Sequence, residues 1–304
     1  MTGDRKNEYK RFGKGSRFNM TDREKNKIVG GTLYLVATPI GNLADISERA
    51  IKVLSEVDFI AAEDTRNTMR LLMSLGISKS LISYHDHNRR EAGEKIVSRL
   101  EAGESCALVT DAGTPAISDP GEDIVALCAD RGIPVTSIPG ACAFVTALTL
   151  SGLSTARFCF EGFLPVKGKE RKDRLDALAV ETRTFILHEA PHKLRTTLDD
   201  LCSALGNDRR IAICRELTKL NEDIFRTTLG EAAEYYSVHE PRGEYVLVIE
   251  GGDGSVKKEE ILMSPTEAVA YYEKSGMSRN EAVKAASKLL GMTRNEVYRL
   301  TIDN

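Results

Sequence analysis

Three groups of ionisable residues stand close together in the sequence: Glu63-Asp64-Thr65-Arg66, His85-Asp86-His87-Asn88, and Glu216 with Lys219. A carboxylate beside a cation suits removal of a proton from a weakly acidic hydroxyl, the cation steadying the oxyanion that forms. Glu63, Asp64, Arg66, Glu216 and Lys219 are therefore the catalytic candidates, with the Glu63–Arg66 group first and His85 and Asn88 behind them. The same residues also read as an ion-paired loop whose Asp64 caps a helix starting near Thr65, and Glu216 with Lys219 as surface partners. His85 and His87, two apart and without a nearby cysteine or third ligand, make a poor metal set. His188 and His192 lie four apart, but Pro191 breaks the helix that would align them. No metal is expected.

The first apolar strand opens onto Thr38-Pro39-Ile40-Gly41-Asn42-Leu43, neither a G-x-G-x-x-G turn nor a phosphate-binding P-loop, so NAD and ATP are disfavoured. Three small-residue loops nevertheless follow strand ends: Pro39–Leu43, Asp111–Pro115 and Ile138–Ala143. Ligands of open α/β sheets sit at such ends, and small side chains let them approach the backbone. Any one loop could be an ordinary tight turn; three together point to a ligand crevice.

The elements that would position these loops are legible from period. Strands are predicted at Thr32–Ala37, Asp58–Ala62, Leu81–Tyr84, Ser105–Thr110 and Pro134–Ile138. Helices alternate with them at Ser47–Glu56, Thr65–Leu75, Arg89–Glu101 and Glu122–Asp130, with Gly76, Gly103 and Gly132 as stops. Regular alternation gives a parallel sheet covered on both faces, an α/β domain over 31–150. A second, mixed-sheet α+β domain follows over 154–252. Its strands are predicted at Phe158–Glu161, Thr184–His188, Arg210–Cys214, Ile224–Thr228 and Tyr245–Glu250, its helices at Glu170–Val180 and Lys193–Leu205.

The run from Gly251 to Glu260 reads as a linker. Beyond it, over 262–304, three short helices fit Pro265–Lys274, Ser278–Leu289 and Thr293–Leu300, with Ser278/Glu281 and Thr293/Glu296 as capping boxes. The pattern resembles a helix-turn-helix module. Six Lys or Arg against five acids from Ser264 onward is not the basic footprint of a sequence-specific DNA reader. Residues 1–30 carry nine basic and four acidic side chains without sustained period, a basic tail that either solubilises the chain or brushes RNA phosphates.

The net charge of −3 over 304 residues gives no global reason to expect a polyanion partner, so any nucleic-acid surface must be local. The densest basic run in the folded part holds Lys167, Lys169, Arg171, Lys172 and Arg174, read as a loop for phosphates or as a solvated helix face. Six cysteines without C-x-x-C spacing read as reduced thiols of a cytoplasmic protein, and the longest apolar run is too short for a bilayer.

Seven ordered motifs carry a closer resemblance. They are Tyr34–Leu43 (YLVATPIGNL), Glu63–Arg66 (EDTR), Asp111–Pro120 (DAGTPAISDP), Ile138-Pro139-Gly140, Gly162–Pro165 (GFLP), His188–His192 (HEAPH) and Arg215–Lys219 (RELTK). Through them the chain resembles the ribosomal RNA small subunit methyltransferase I family of the tetrapyrrole methylase superfamily. The resemblance implies a two-domain tetrapyrrole-methylase-like fold that holds S-adenosylmethionine in the interdomain cleft, in a homodimer. It further implies methyl transfer to the ribose 2′-oxygen of a cytidine near the decoding site, on small-subunit ribosomal RNA or the 30S subunit. Carried over by position, it places Pro39, Asp111, Gly113, Ile117, Cys142, Ala143, Glu189, Ala212 and Gly243 around the cofactor. The chain departs from the family pattern at Ala141-Cys142, where a proline and a serine are usual.

Overall fold

The computed structural model describes residues 26–254, 263–290 and 292–302. Most of the basic tail and most of the linker lie outside the described residues. By contact the chain divides into two compact units, Met1–Asp253 and Gly254–Asn304.

The first unit opens with β1 (Leu33–Val36), α1 (Glu48–Glu56), β2 (Phe59–Ala62), α2 (Thr65–Ser74), β3 (Ser80–Ser83), α3 (Arg89–Glu101), β4 (Cys106–Val109), α4 (Glu122–Asp130) and β5 (Val135–Ile138). The strands form one parallel sheet in the order β3-β2-β4-β1-β5. Alternate residues of each strand feed opposite cores, as a period of two requires. Leu33, Phe59, Ala61, Cys106 and Leu108 join Ile96 and Leu100 of α3 and Ile124 of α4 on one face. Tyr34, Val36, Ile60, Ala62, Ala107 and Val109 join Val53 and Leu54 of α1 and Leu72 of α2 on the other.

Next come α5 (Ala143–Ser151), β6 (Phe158–Phe163), α6 (Gly168–Ala179), β7 (Thr184–Glu189), α7 (Leu194–Leu205), β8 (Arg210–Arg215), β9 (Asp223–Thr228), α8 (Leu229–Val238) and β10 (Tyr245–Ile249). Their sheet runs β6-β7-β10-β8-β9, with β6 and β7 parallel and every other neighbour antiparallel. One face packs Phe185, Leu187, Ile213 and Leu247 against α6, α7 and α8. The other packs Ile186, Ala212, Cys214, Val246 and Val248 against Ala147 and Leu148 of α5. Helix α5 thus follows the last strand of the first sheet yet buries its apolar face on the second, tying the two together.

The second unit is a bundle of α9 (Pro265–Lys274), α10 (Arg279–Leu290) and α11 (Arg294–Ile302) around Ala268, Val269, Ala282, Val283, Ala286 and Val297. The Ser278 and Thr293 backbone N–H groups donate to the Glu281 and Glu296 carboxylates at 3.0 and 2.8 Å, and the Glu296 N–H donates back to the Thr293 hydroxyl at 3.3 Å, completing a capping box at Thr293. Among the described residues no helix is long and apolar enough to cross a membrane.

Candidate active site

Parallel strands end together, so the loops after β1, β4 and β5 converge at one edge of the first sheet. The loops after β1 and β4 are joined by a two-way backbone pair: Thr38 N–H donates to the Gly113 carbonyl and Gly113 N–H to that of Thr38. Gly113 has φ +88°, where any other residue is strained. Facing these loops are the ends of β7 and β8 and the start of β10. The loops and strand ends enclose a cavity of about 380 Å³.

One wall of that cavity is Ile40, Ala112, the segment Ile117 to Asp119, and Ala143; the other holds Phe163, His188, Glu189, Leu217 and Glu244. Its charged lining is Asp119, Glu189 and Glu244, and among the described residues no lysine or arginine lines it. Among the described residues four non-glycines have φ between 51° and 67°: Ala116, Ser118, Glu216 and Thr218. All lie in the two loops that bound the cavity. Strain of this kind is sustained where surrounding structure demands a particular shape.

Electrostatics follow burial. The Asp119 carboxyl is pushed up to about 6 by desolvation, then by the neighbouring Glu63 and Asp111 carboxylates. Glu63 is raised too, first by desolvation, although its carboxylate accepts the Asp111 N–H at 3.2 Å. Burial holds His188 below its ordinary value, so its ring is neutral. That ring lies edge-on to Phe160 and Phe163, and its buried Nε2 has no partner among the described residues. Glu189, 5% exposed, accepts from the Thr197 hydroxyl at 2.5 Å and the Ala190 N–H at 2.8 Å.

Of the nine cofactor candidates, Ile117, Ala143 and Glu189 line this cavity. Pro39 and Asp111 line a neighbouring one, beside Arg70. Gly113 shapes the loop pair, and Cys142 precedes α5, its thiol raised by burial and therefore protonated. Ala212 is core, two residues before the lining residue Cys214. Gly243 has φ +83°, and a Cβ there would fall 2.5 Å from Glu216 Cγ.

The catalytic candidates separate. Asp64 accepts the Arg66 N–H at 2.8 Å as the cap of α2 and pairs with its guanidinium, which holds its carboxyl far below the usual range. The capping reading therefore accounts for Asp64, while Arg66 points to solvent with its side chain 84% exposed. Glu63 stands one hydrogen bond behind the wall. Lys219 Nζ lies 2.8 Å from both Glu216 and Glu244, and Glu216 also accepts the Glu244 N–H at 3.0 Å. This triad holds Glu244 at the cavity. Asn88 accepts the His85 N–H at 2.8 Å and organises the turn before α3. Among the described residues no three His, Cys, Asp or Glu side chains group as a metal would need.

The basic run needs a correction. Lys167, Lys169 and Lys172 are exposed, and Arg174 pairs with Glu161 at 3.0 Å. Arg171 is instead buried and engaged by Asp200 at 2.7 Å, the Pro165 carbonyl at 2.9 Å and the Thr197 hydroxyl at 3.0 Å. A guanidinium so committed holds structure and is not offered to phosphates. Arg171→Ala is expected to destabilise the fold by about 3 kcal/mol in urea unfolding, because Asp200 loses a partly buried partner; Lys172→Ala should change stability by less than about 0.5 kcal/mol.

Sequence reasoning assigned no role to Asp119, His188, Phe163 or Glu244. Asp119 lies inside the DAGTPAISDP motif, but an Asp before Pro-Gly reads as a turn residue, and only the folded loop aims it inward.

The sequence matches the tetrapyrrole (corrin/porphyrin) methylases over residues 32–233. It is 46% identical over 276 residues to the ribosomal RNA small subunit methyltransferase I of Synechocystis sp., covering 90% of this chain and 98% of that one. The protein of the same name from Bacillus subtilis is 44% identical over 272 residues, covering 88% and 93%. Among solved structures, a cobalt precorrin-4 methyltransferase superposes with TM-score 0.56 at 17% identity, covering 72% of this chain and 95% of that one. A Thermus thermophilus uroporphyrin-III C-methyltransferase complexed with S-adenosyl homocysteine gives 0.53 at 18%, covering 72% and 97%.

Proposed function

The chain belongs to the tetrapyrrole methylase family and, within it, to the ribosomal RNA small subunit methyltransferase I group, and from that premise we propose its reaction. It transfers a methyl group from S-adenosylmethionine to the ribose 2′-oxygen of a cytidine in small-subunit ribosomal RNA near the decoding site. It acts as a homodimer in the cytoplasm. The observation that carries the donor site is the cavity lining: mostly apolar walls, three carboxylates and, among the described residues, no lysine or arginine. That lining fits a ligand with a flat apolar body and a positive charge, as this donor has.

When bound, the donor supplies an electrophilic methyl carbon on a sulfonium. The chain's residues orient and desolvate. Phe163, Ile40, Leu217 and Ala143 exclude water from the cavity, which strengthens the field of the lining carboxylates. Glu189, held by Thr197, presents its remaining lone pairs to a hydroxyl or amino group of the ligand. Neutral His188 offers Nε2 without adding positive charge. Asp119 is the lining group best matched to accept the ribose hydroxyl proton, because a carboxyl near 6 is ionised at neutral pH yet more basic than an ordinary one. Glu63, the first choice from sequence, acts behind it by raising that basicity. The three-helix unit, near charge balance, serves as an RNA-docking accessory.

The test is transfer of tritiated methyl from the donor to small subunits and protein-free small-subunit RNA from a strain lacking the gene. Label should appear in one cytidine and survive in an alkali-resistant dinucleotide, since a methylated 2′-oxygen cannot attack the neighbouring phosphate. Label on a base would overturn the ribose assignment, and label on a corrinoid but never on RNA would overturn the substrate class.

A further inference from the structure

The loops after β1 and β4 have a cavity on each side. Consecutive residues face opposite ways: Ile40 and Ala112 line the larger cavity, whereas Pro39 and Asp111 line a second one of about 270 Å³. The backbone pair between Thr38 and Gly113 makes the intervening wall rigid. The second cavity is otherwise different in kind. Leu43 and Leu71 give it apolar surface, and Arg70 brings a guanidinium to it. The Arg70 side chain is steered by a 3.3 Å hydrogen bond to Asn67, whose amide holds the Asp111 carboxylate at 2.9 Å. Asp111 is thus engaged, while Arg70 has no carboxylate within 4 Å among the described residues.

The cavity continues onto the face of α2. Arg66, Met69, Arg70 and Met73 fall at helical spacings of three and four, so they share one face. Met69 is 47% and Met73 71% exposed, as is Leu43 at 55%. Exposed guanidiniums interleaved with flexible apolar side chains suit a chain that presents flat rings and phosphates alternately. A protein partner would need carboxylates to match the arginines and would gain nothing from a cavity sized for a single ring.

We propose that this second cavity and the α2 face bind a nucleotide of the RNA flanking the acceptor, with its base against Pro39, Leu43 and Leu71 and its phosphate on Arg70. The inference rests on the reading that the larger cavity holds the methyl donor and that RNA is the acceptor. An acceptor ribose at the rim of the first cavity must have a neighbour on one side of the wall, and the second cavity is what lies there. The site is separate from Lys169 and Lys172 on α6 and from Lys167, its N-cap.

The test uses the full chain with Arg70→Ala and Arg70→Lys, each checked for unchanged thermal unfolding. Four measurements are made: KM for protein-free small-subunit RNA with tritiated donor, anisotropy of a labelled single-stranded RNA oligonucleotide, calorimetry with S-adenosylhomocysteine, and the mass of the free chain by light scattering. Arg70→Ala should weaken RNA about tenfold in KM and Kd, and flatten the dependence of log K on log salt by about one contact. Affinity for S-adenosylhomocysteine should stay within about twofold. Arg70→Lys should restore the salt dependence but only part of the affinity, since a point charge replaces a planar fork. Unchanged RNA affinity in Arg70→Ala overturns the proposal. An equal loss for S-adenosylhomocysteine overturns it by giving the cavity to the donor, and a change of mass in light scattering with RNA affinity intact gives the face to a second copy. A wild-type chain that labels no RNA would instead sink the functional reading, with the anisotropy comparison still deciding this one.

Discussion

Asp119→Asn is expected to lower kcat for RNA methylation by about two orders of magnitude, with affinity for S-adenosylhomocysteine kept within about twofold. Asparagine matches aspartate in shape but cannot take a proton. The pH profile separates this loss from a packing defect. In the wild type, activity should rise through a limb near pH 6, where the Asp119 carboxyl ionises. In Asp119→Asn that limb should vanish, leaving low activity that is flat from pH 5 to 7. Stability should move the opposite way. The proton is held more tightly in the fold, up to about 6, than in the unfolded chain at 3.8. Between those values the folded chain therefore binds more protons, and its stability falls as pH rises. Asp119→Asn escapes that penalty, so its Tm should exceed the wild type above pH 6 and match it below about pH 4. A variant that keeps the acid limb, or loses Tm at pH 7.5, would place the proton acceptor elsewhere.

What could be read from the sequence tracks how local each cause is. Sheet strands and most helices were legible because their period is set by burial on one or two faces: Leu33, Phe59 and Leu108 go one way, Tyr34, Ile60 and Val109 the other. Helix α5 was read only as an apolar stretch. Its residues are buried mainly against β7, β8 and β10, strands that begin more than thirty residues later, so the period carried no sign of which surface it covers. Helix α8 was missed for a related reason. Thr228 caps it with Glu231 in a full capping box, yet between the strands predicted at Ile224–Thr228 and Tyr245–Glu250 no helix was read.

The site divides in the same way. Motifs and strand-end loops located the cavity, since loop chemistry and position are properties of the chain. Which way a loop residue points is not. Pro39 and Ile40 are neighbours in sequence and face different cavities. Arg171 and Lys172 look alike in a basic run, yet one is locked to Asp200 and Thr197 and the other is free in solvent. Asp64 was weighed both as a catalyst and as a cap, and its bonds to Arg66 are those of a cap.

The contact that closes the cavity predicts the second large effect. Gly41, in the loop after β1, lies directly against the loop after β8. A Cβ at Gly41 would fall 2.5 Å from Lys219 Cγ, 2.8 Å from Thr218 Oγ1 and 3.1 Å from the Leu217 carbonyl oxygen. Lys219 cannot simply swing aside, because Glu216 and Glu244 both hold its ammonium. Thr218 is already at φ +65°, and the backbone carbonyl of Leu217 has no freedom of its own. A side chain at position 41 must therefore push the two loops apart, and Ile40 and Leu217, which face the cavity from either side, would move with them. Both loops lie at the ends of strands whose packing does not depend on the contact. Gly41→Val is thus expected to leave the circular dichroism spectrum and the cooperativity of unfolding intact while lowering kcat/KM about a hundredfold, the scale of a 1 Å misplacement. Gly41→Ala should fall between the two. Calorimetry with S-adenosylhomocysteine locates the defect: if Gly41→Val binds it as the wild type does, the loop contact does not shape the donor cavity, and the loss must be sought on the RNA side of the wall.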